Sequence, residues 1–290
     1  MSITNLDKVL YPETGFTKGE VIDYYVRIAP ALLPHLHDRA LTRVRYPNGV
    51  EGKSFFEKRV PSHHPDWVRT EHVWAGNRAG DIEFCICDDL PTLVWLAQLA
   101  AIEMHPSLAK VDDVERPTVL AFDLDPGEPA TIVECCAVAL RLRALFAGFG
   151  LDCFPKTSGS KGMQVYLPLN GDVTYGDTKP YANAVAKALE SAEPDLVTSQ
   201  MKKALRPGKV FVDWSQNSST KTTVAAYSLR ARSAPTASTP LRWEEVEATK
   251  ASANPDDLRF TSDEVLARVD DHGDLFAPVL ELQQELPRAP

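Results

Sequence analysis

An α+β fold, with a largely antiparallel central sheet flanked by helices, is the expectation from three features of the chain. Strand-like apolar runs and longer helical stretches mix without the strict strand–helix–strand rhythm of a doubly wound parallel sheet. Residues 41–59 alternate in hydrophobicity around Tyr46-Pro47-Asn48-Gly49, which marks a turn between two neighbouring strands. Of the 290 residues, 44% are hydrophobic and 24% charged, which is enough to bury a core and excludes a disordered tail or a collagen-like fibre.

A short strand or loop opens the chain and turns at Pro12–Gly15. A helix then starts at Thr17, where Glu20 completes a capping box and Val21, Tyr24, Tyr25 and Ile28 recur at helical spacing. Pro30 and Pro34 predict an irregular far end. Residues 92–104 are apolar nearly all round and predict a buried helix ending at His105-Pro106. Thr118–Asp125 reads as a strand stopped by Pro126-Gly127, and Thr131–Phe149 as a helix closed by Gly150. A strand ending at Phe154, the loop Thr157–Gly162 and the strand Met163–Leu169 come next. A helix over 179–191, strands at 209–213 and 222–229, a connector at 233–240 and short helices at 243–250 and 262–269 complete the reading. Residues 1–275 are expected to form one domain, with the segment 1–40 packed on its core, and 276–290 a C-terminal tail.

No run of eighteen apolar residues occurs, so no membrane span is expected, and the first residues lack the pattern of a signal peptide. The five cysteines (Cys85, Cys87, Cys135, Cys136, Cys153) have no C-x-x-C spacing and point to reduced thiols in the cytoplasm, with Cys135 and Cys136 in the core. The net charge of −9 argues against a polyanionic partner, but the charges are segregated. Between Gln200 and Arg232, seven basic residues face Asp213 alone, a strip that suits either a polyanion or plain solvation.

Candidate chemistry begins at Phe122-Asp123-Leu124-Asp125-Pro126. On a strand, Asp123 and Asp125 project to the same side and repel unless a cation lies between them. Oxygen ligands of this kind suit Mg²⁺ or Mn²⁺, and Asp213 ends another apolar strand. The plain alternative is a pair of turn-forming aspartates. The loop Thr157-Ser158-Gly159-Ser160-Lys161-Gly162 is not a Walker A motif; it is either a hairpin connection or, beside a metal site, a triphosphate cradle. Phe55 and Phe56, followed by Lys58, offer an exposed aromatic for base stacking or ordinary edge packing. His105 is a partly buried histidine or an anion donor.

Taken together these motifs resemble the polymerase domain of bacterial ligase D, within the archaeo-eukaryotic primase superfamily. The matching segments are Asn5–Pro12, Phe55–Lys58, Phe122–Gly127, Thr157–Gly162, Val210–Asn217, Lys221–Thr223 and Tyr227–Arg232, in family order. The resemblance implies a primase-polymerase-like core in which Asp123, Asp125 and Asp213 hold two divalent ions, Mn²⁺ or Mg²⁺. It assigns Ser158, Lys161, His105 and Arg230 to the triphosphate, with Gln216 and Lys58 nearby and Phe55 or Phe56 against a base. Asn5, Lys8 and Lys18 resemble a pocket for a downstream 5′-phosphate, and Lys202, Lys203 and Arg206 a mobile loop touching template or primer. Arg43-Val44-Arg45 departs from the family pattern, which has a basic residue in the middle. The chain has no K-x-D-G ligase nucleophile, so a stand-alone relative or an excised domain is expected. The implied activity is primer extension at gaps or broken DNA ends from nucleoside triphosphates, with ribonucleotides preferred, in non-homologous end joining beside Ku or a separate ligase. The alternatives are a two-metal nuclease and a non-catalytic DNA-end-binding module.

Overall fold

In the computed structural model, which describes residues 2–76 and 80–287, the chain first forms β1 (Val9–Tyr11), β2 (Phe16–Thr17), α1 (Lys18–Leu36), β3 (Ala40–Arg45) and β4 (Phe55–Glu57). Then come β5 (Thr70–Trp74), β6 (Asp81–Ile86), α2 (Leu90–Gln98), β7 (Ala101–Pro106), β8 (Val119–Pro126) and α3 (Ile132–Ala147). The rest comprises β9 (Phe154–Thr157), β10 (Met163–Pro168), α4 (Tyr175–Ala192), β11 (Val197–Thr198), β12 (Val210–Asp213), α5 (Trp243–Ser252), α6 (Ser262–His272) and α7 (Pro278–Glu281). Among the named strands only β11 and β12 pair in parallel, so the α+β, largely antiparallel expectation holds. Residues 288–290 of the expected tail lie outside the described residues.

The chain divides into two compact units. The first comprises Met1–Val114, Thr222–Ser238 and Phe260–Asp274. Its sheet runs β4-β3-β6-β5, with β7 also paired to β3. The predicted capping box opens α1: Glu20 N–H donates to Thr17 Oγ1 (3.3 Å), and Thr17 N–H donates to Glu20 Oε2 (2.7 Å). The helix continues through Pro30 and Pro34, because each proline removes one donor while His37 N–H still closes the last turn on Leu33 O (3.0 Å).

Two expectations are corrected in this unit. The apolar run 92–104 is not one helix: α2 stops at Gln98, Ala100 takes a left-handed φ of 56°, and β7 begins at Ala101. Ile102-Glu103-Met104-His105 has the two-residue period of a strand, which the uniformly apolar residues before it masked. Residues 222–229 form no strand. Thr223 and Ala225 N–H groups bond to the Pro106 and Met104 carbonyls, and Tyr227 then turns with φ 67°. Buried tyrosines of the N-terminal segment anchor the backbone from Tyr227 to Arg230. Tyr24 Oη donates to Tyr227 O (2.7 Å), Tyr11 Oη donates to Arg230 O (3.0 Å), and Tyr25 Oη accepts from Leu229 N–H (3.2 Å).

The second unit comprises Glu115–Lys221, Thr239–Arg259 and Leu275–Pro290, with strand order β11-β12-β8-β10-β9. Phe122, on one face of β8, meets Phe146 of α3 with ring centroids 5.8 Å apart. Cys135 and Cys136 are buried in α3 as expected, and the other three cysteines are buried too. The strand expected to end at Phe154 starts there as β9, and α4 begins at Tyr175 rather than near 179. Gly162 packs against β8 so closely that a Cβ would strike the Leu124 carbonyl oxygen.

Candidate active site

Because β8 alternates, Asp123 and Asp125 face away from Phe122 and from α3. Register then brings in the neighbours: Asp213 of β12 and Gln164 of β10 both pair with Asp123, and Gln164 pairs in turn with Lys156 of β9. One row across four strands therefore reads Asp213, Asp123, Gln164, Lys156, with adjacent Cα atoms about 5 Å apart. Asp125 sits one pleat further along the same face.

The charges in this row interact. Burial, then the charge of Asp125, push the Asp123 carboxyl up to about 7; Asp213 adds to the rise, while Gln164 and the fully buried Lys156 oppose it. Gln164 Nε2 donates to Asp123 Oδ1 at 3.1 Å. Asp213 is held by its own turn: Ser215 N–H (2.9 Å) and Oγ (2.6 Å) donate to Oδ1, and Gln216 Nε2 donates to Oδ2 (2.9 Å). Lys221 Nζ donates to Ser215 Oγ, which places a cation behind that carboxylate. Asn217, fully buried, extends the ladder beyond β12 by bonding both backbone groups of Ala121 (2.9 and 2.8 Å). Sequence reasoning singled out Gln216 but missed Gln164, Lys156 and Ser215. A lone polar residue in the apolar strand 163–168 was the available signal for Gln164.

The loop between β9 and β10 differs from an open phosphate cradle. Ser158 Oγ accepts from the N–H groups of Ser160 (3.3 Å) and Gly162 (3.2 Å), and Thr157 Oγ1 accepts from Gly159 N–H (3.3 Å). Its own hydroxyls thus engage the loop amides. Lys161 Nζ pairs with Glu128 at 2.6 Å, but both side chains are well exposed (66% and 80%), so the pair is weakly held. Lys202 and Lys203 are exposed. Arg206 is not a solvated loop residue: its guanidinium stacks 3.7 Å from the Phe211 ring centroid and donates to Met201 O (3.0 Å).

In the first unit, Phe56 pairs with Val44, and Val44 with Glu103, so these three share one face. His105 lies two residues from Glu103 on that face, and Lys58 two residues from Phe56, with burial lowering the Lys58 pKa. Glu103 Oε2 lies 2.9 Å from His105 Nε2, and Oε1 lies 3.1 Å from Arg230 Nε and accepts the Ala231 N–H at 3.1 Å. His105 and Arg230 are thus brought together by a carboxylate that sequence reasoning did not single out. Phe55 and Glu57 face the other way, and Glu57 pairs there with Arg43 (3.1 Å) and Arg45 (2.9 Å). The buried Val44 sits in this row between Phe56 and Glu103.

Asn5, Lys8 and Lys18 also come together. Asn5 adopts φ 55°, Lys8 N–H donates to Asn5 O (3.1 Å), and Lys18 N–H donates to Lys8 O (2.8 Å). Lys18 Nζ donates to Thr4 O (2.9 Å), and its pKa is lowered by burial and then by the charge of Lys8. Two neighbouring lysines at the start of α1 make a local demand for an anion.

Elsewhere in this unit His37, Asp38 and Asp88 approach one another. Arg69 Nη1 already bridges Asp38 (2.6 Å) and Asp88 (2.7 Å), and its hydrogen bond holds the Asp38 carboxyl below the usual range. A guanidinium thus already engages both carboxylates of that cluster.

The family model described as LigD, primase-polymerase domain, matches residues 17–276. The multifunctional non-homologous end joining protein LigD of Mycolicibacterium smegmatis is 43% identical over 279 residues, covering 96% of this chain and 36% of that protein. The bifunctional non-homologous end joining protein LigD of Bacillus subtilis is 32% identical over 288 residues, covering 99% of this chain and 45% of that protein. The chain therefore spans less than half the length of these relatives. Among solved structures, the polymerase domain of Mycobacterium tuberculosis ligase D in complex with DNA is 42% identical, with a TM-score of 0.89 over 98% of this chain and 99% of that one.

Proposed function

The chain belongs to the LigD primase-polymerase domain family, and from that premise we propose that it is a divalent-metal-dependent nucleotidyltransferase that extends primers at gaps or broken ends of DNA. The observation that carries this reading is the row Asp213–Asp123 with Asp125 on the same face. The donor set fits the ions: it is oxygen only, and burial and then the charge of Asp125 raise the Asp123 pKa, the second of which a cation would offset. Mg²⁺ or Mn²⁺ bound there supplies charge neutralisation at the triphosphate and acidifies the primer 3′-hydroxyl.

The chain's own residues orient the reactants. Ser215 and Gln216 fix both oxygens of Asp213, and Gln164 fixes one oxygen of Asp123. His105, Arg230, Ser158 and Lys161 take the triphosphate; Lys161 gives up only an exposed surface pair to do so. Phe56, 62% exposed on the face of His105, stacks on a base, in preference to Phe55. Asn5, Lys8 and Lys18 bind a downstream 5′-phosphate, and Lys202 and Lys203 contact the strand backbone. The relatives are non-homologous end joining proteins, and within that repair process the proposed activity uses ribonucleotides by preference.

The test uses a gapped duplex with a labelled primer, a 5′-phosphate on the downstream strand, and Mn²⁺ or Mg²⁺. Template-directed extension should appear, faster with ribonucleotides, and be lost by at least about a thousandfold in Asp125→Ala or Asp213→Ala with DNA binding retained. Primer shortening without a triphosphate would instead establish a nuclease.

A further inference from the structure

We propose that Glu103 is a positioning residue for the triphosphate: one buried carboxylate that divides its two oxygens between His105 and Arg230 and thereby sets the orientation of both. This deepens the reading above and rests on its assignment of His105 and Arg230 to the triphosphate.

The geometry gives each oxygen its own side-chain partner. Oε2 meets His105 Nε2 at 2.9 Å, while Oε1 meets Arg230 Nε at 3.1 Å and the Ala231 N–H at 3.1 Å. The two partners come from places 125 positions apart in the chain, one on β7 and one in the segment pinned by Tyr11, Tyr24 and Tyr25. Glu103 stands between them, hydrogen-bonded to His105 and ion-paired with Arg230. Burial works against its ionisation, but the His105 hydrogen bond, the Arg230 charge and the Ala231 N–H outweigh it and hold its pKa at about 2. The carboxylate is therefore charged throughout the physiological range.

The chemical consequence lies in which atoms are directed at a ligand. With Nε2 turned to Glu103, the His105 ring directs Nδ1 away from the carboxylate. Arg230 Nε lies 3.1 Å from Oε1 without its N–H aligned on that oxygen, so the carboxylate holds the guanidinium by charge, beside the His105 ring, as a group suited to phosphate oxygens. Without this counter-charge the guanidinium is less restricted in where it rests. An amide does not replace the anchor: Glu103→Gln keeps one acceptor oxygen but removes the negative charge that faces the Arg230 guanidinium.

The expected outcome is a rise of roughly tenfold or more in KM for the complementary ribonucleoside triphosphate in Glu103→Gln, with kcat at saturation changed far less. Affinity for gapped DNA, and for Mn²⁺ alone, should stay at the wild-type value. A double-mutant cycle separates positioning from general support of the fold. In the His105→Ala, Arg230→Ala background, Glu103→Gln should add almost nothing further to KM. An undiminished loss in that background, or an unchanged KM in Glu103→Gln alone, overturns the proposal. If Glu103→Gln fails to fold, Glu103→Asp serves: it keeps the charge but reaches only one partner, and must show a smaller rise in KM that also vanishes in the double background. His105→Ala and Arg230→Ala as single variants report on the underlying assignment. Should both leave nucleotide KM unchanged, the triphosphate reading of these side chains fails; should both raise it while Glu103→Gln does not, only the inference about Glu103 fails.

Discussion

Replacing Asp123 by asparagine should stabilise the metal-free protein above pH 7. Folding moves this carboxyl from 3.8 to about 7, through burial first and the charge of Asp125 second. Between those two values the folded state holds a proton that the unfolded state has released, so the contribution of this carboxyl to stability is greatest below pH 3.8 and falls as pH rises to about 7. That rise corresponds to roughly 4 kcal/mol, of which about 2 kcal/mol is lost between about pH 5.5 and pH 7. Asparagine keeps the shape and an oxygen that can accept the Gln164 Nε2 hydrogen bond, but carries no charge. Urea unfolding with a chelator present, from about pH 5.5 to 8.5, measures the difference between wild type and Asp123→Asn. That difference should grow with pH and level off above about 7, and Mn²⁺ should stabilise the wild type more than the variant. Parallel pH curves for the two proteins, or a variant less stable at pH 8.5, would refute the electrostatic account of the row.

The same geometry sets four further outcomes. Gly162→Ala should destabilise the fold by about 2 kcal/mol or more in denaturant unfolding, because the new methyl meets the Leu124 carbonyl between two paired strands. Lys161→Ala should leave the melting temperature unchanged, its partner being a surface carboxylate, yet raise the KM for nucleotide in extension assays. Phe56→Ala should lower extension efficiency about tenfold without a change in melting temperature; Phe55→Ala should do less, since its ring faces the other way and lies under Lys53 Nζ at 5.4 Å. Lys8→Ala should weaken binding only to duplexes that carry the 5′-phosphate, and should reduce the salt dependence of that binding, as read by fluorescence anisotropy.

Local features were legible in the chain itself. The capping box at Thr17, the turn at Tyr46–Gly49 and the strand carrying Asp123 and Asp125 depend on residues a few positions apart, and each formed where its pattern stood. The neighbours of Asp123 and Asp125, and which of Phe55 and Phe56 shares a face with Glu103, were not legible there, because they turn on which strand lies alongside. The 92–104 run shows the limit within a single segment: average hydrophobicity hid a change of period that the left-handed Ala100 makes visible. Glu103, Gln164 and Lys156 escaped notice because a lone polar residue in a strand has no meaning until its partners are known. Sequence alone determined which residues carry charge and which local elements they sit on. Tertiary structure decided that Asp213 stands beside Asp123 and that Glu103 grips both His105 and Arg230. Such pairings reach from within one strand to more than a hundred residues along the chain. They are set by strand register and by the burial of whole faces, neither of which any local window of sequence contains.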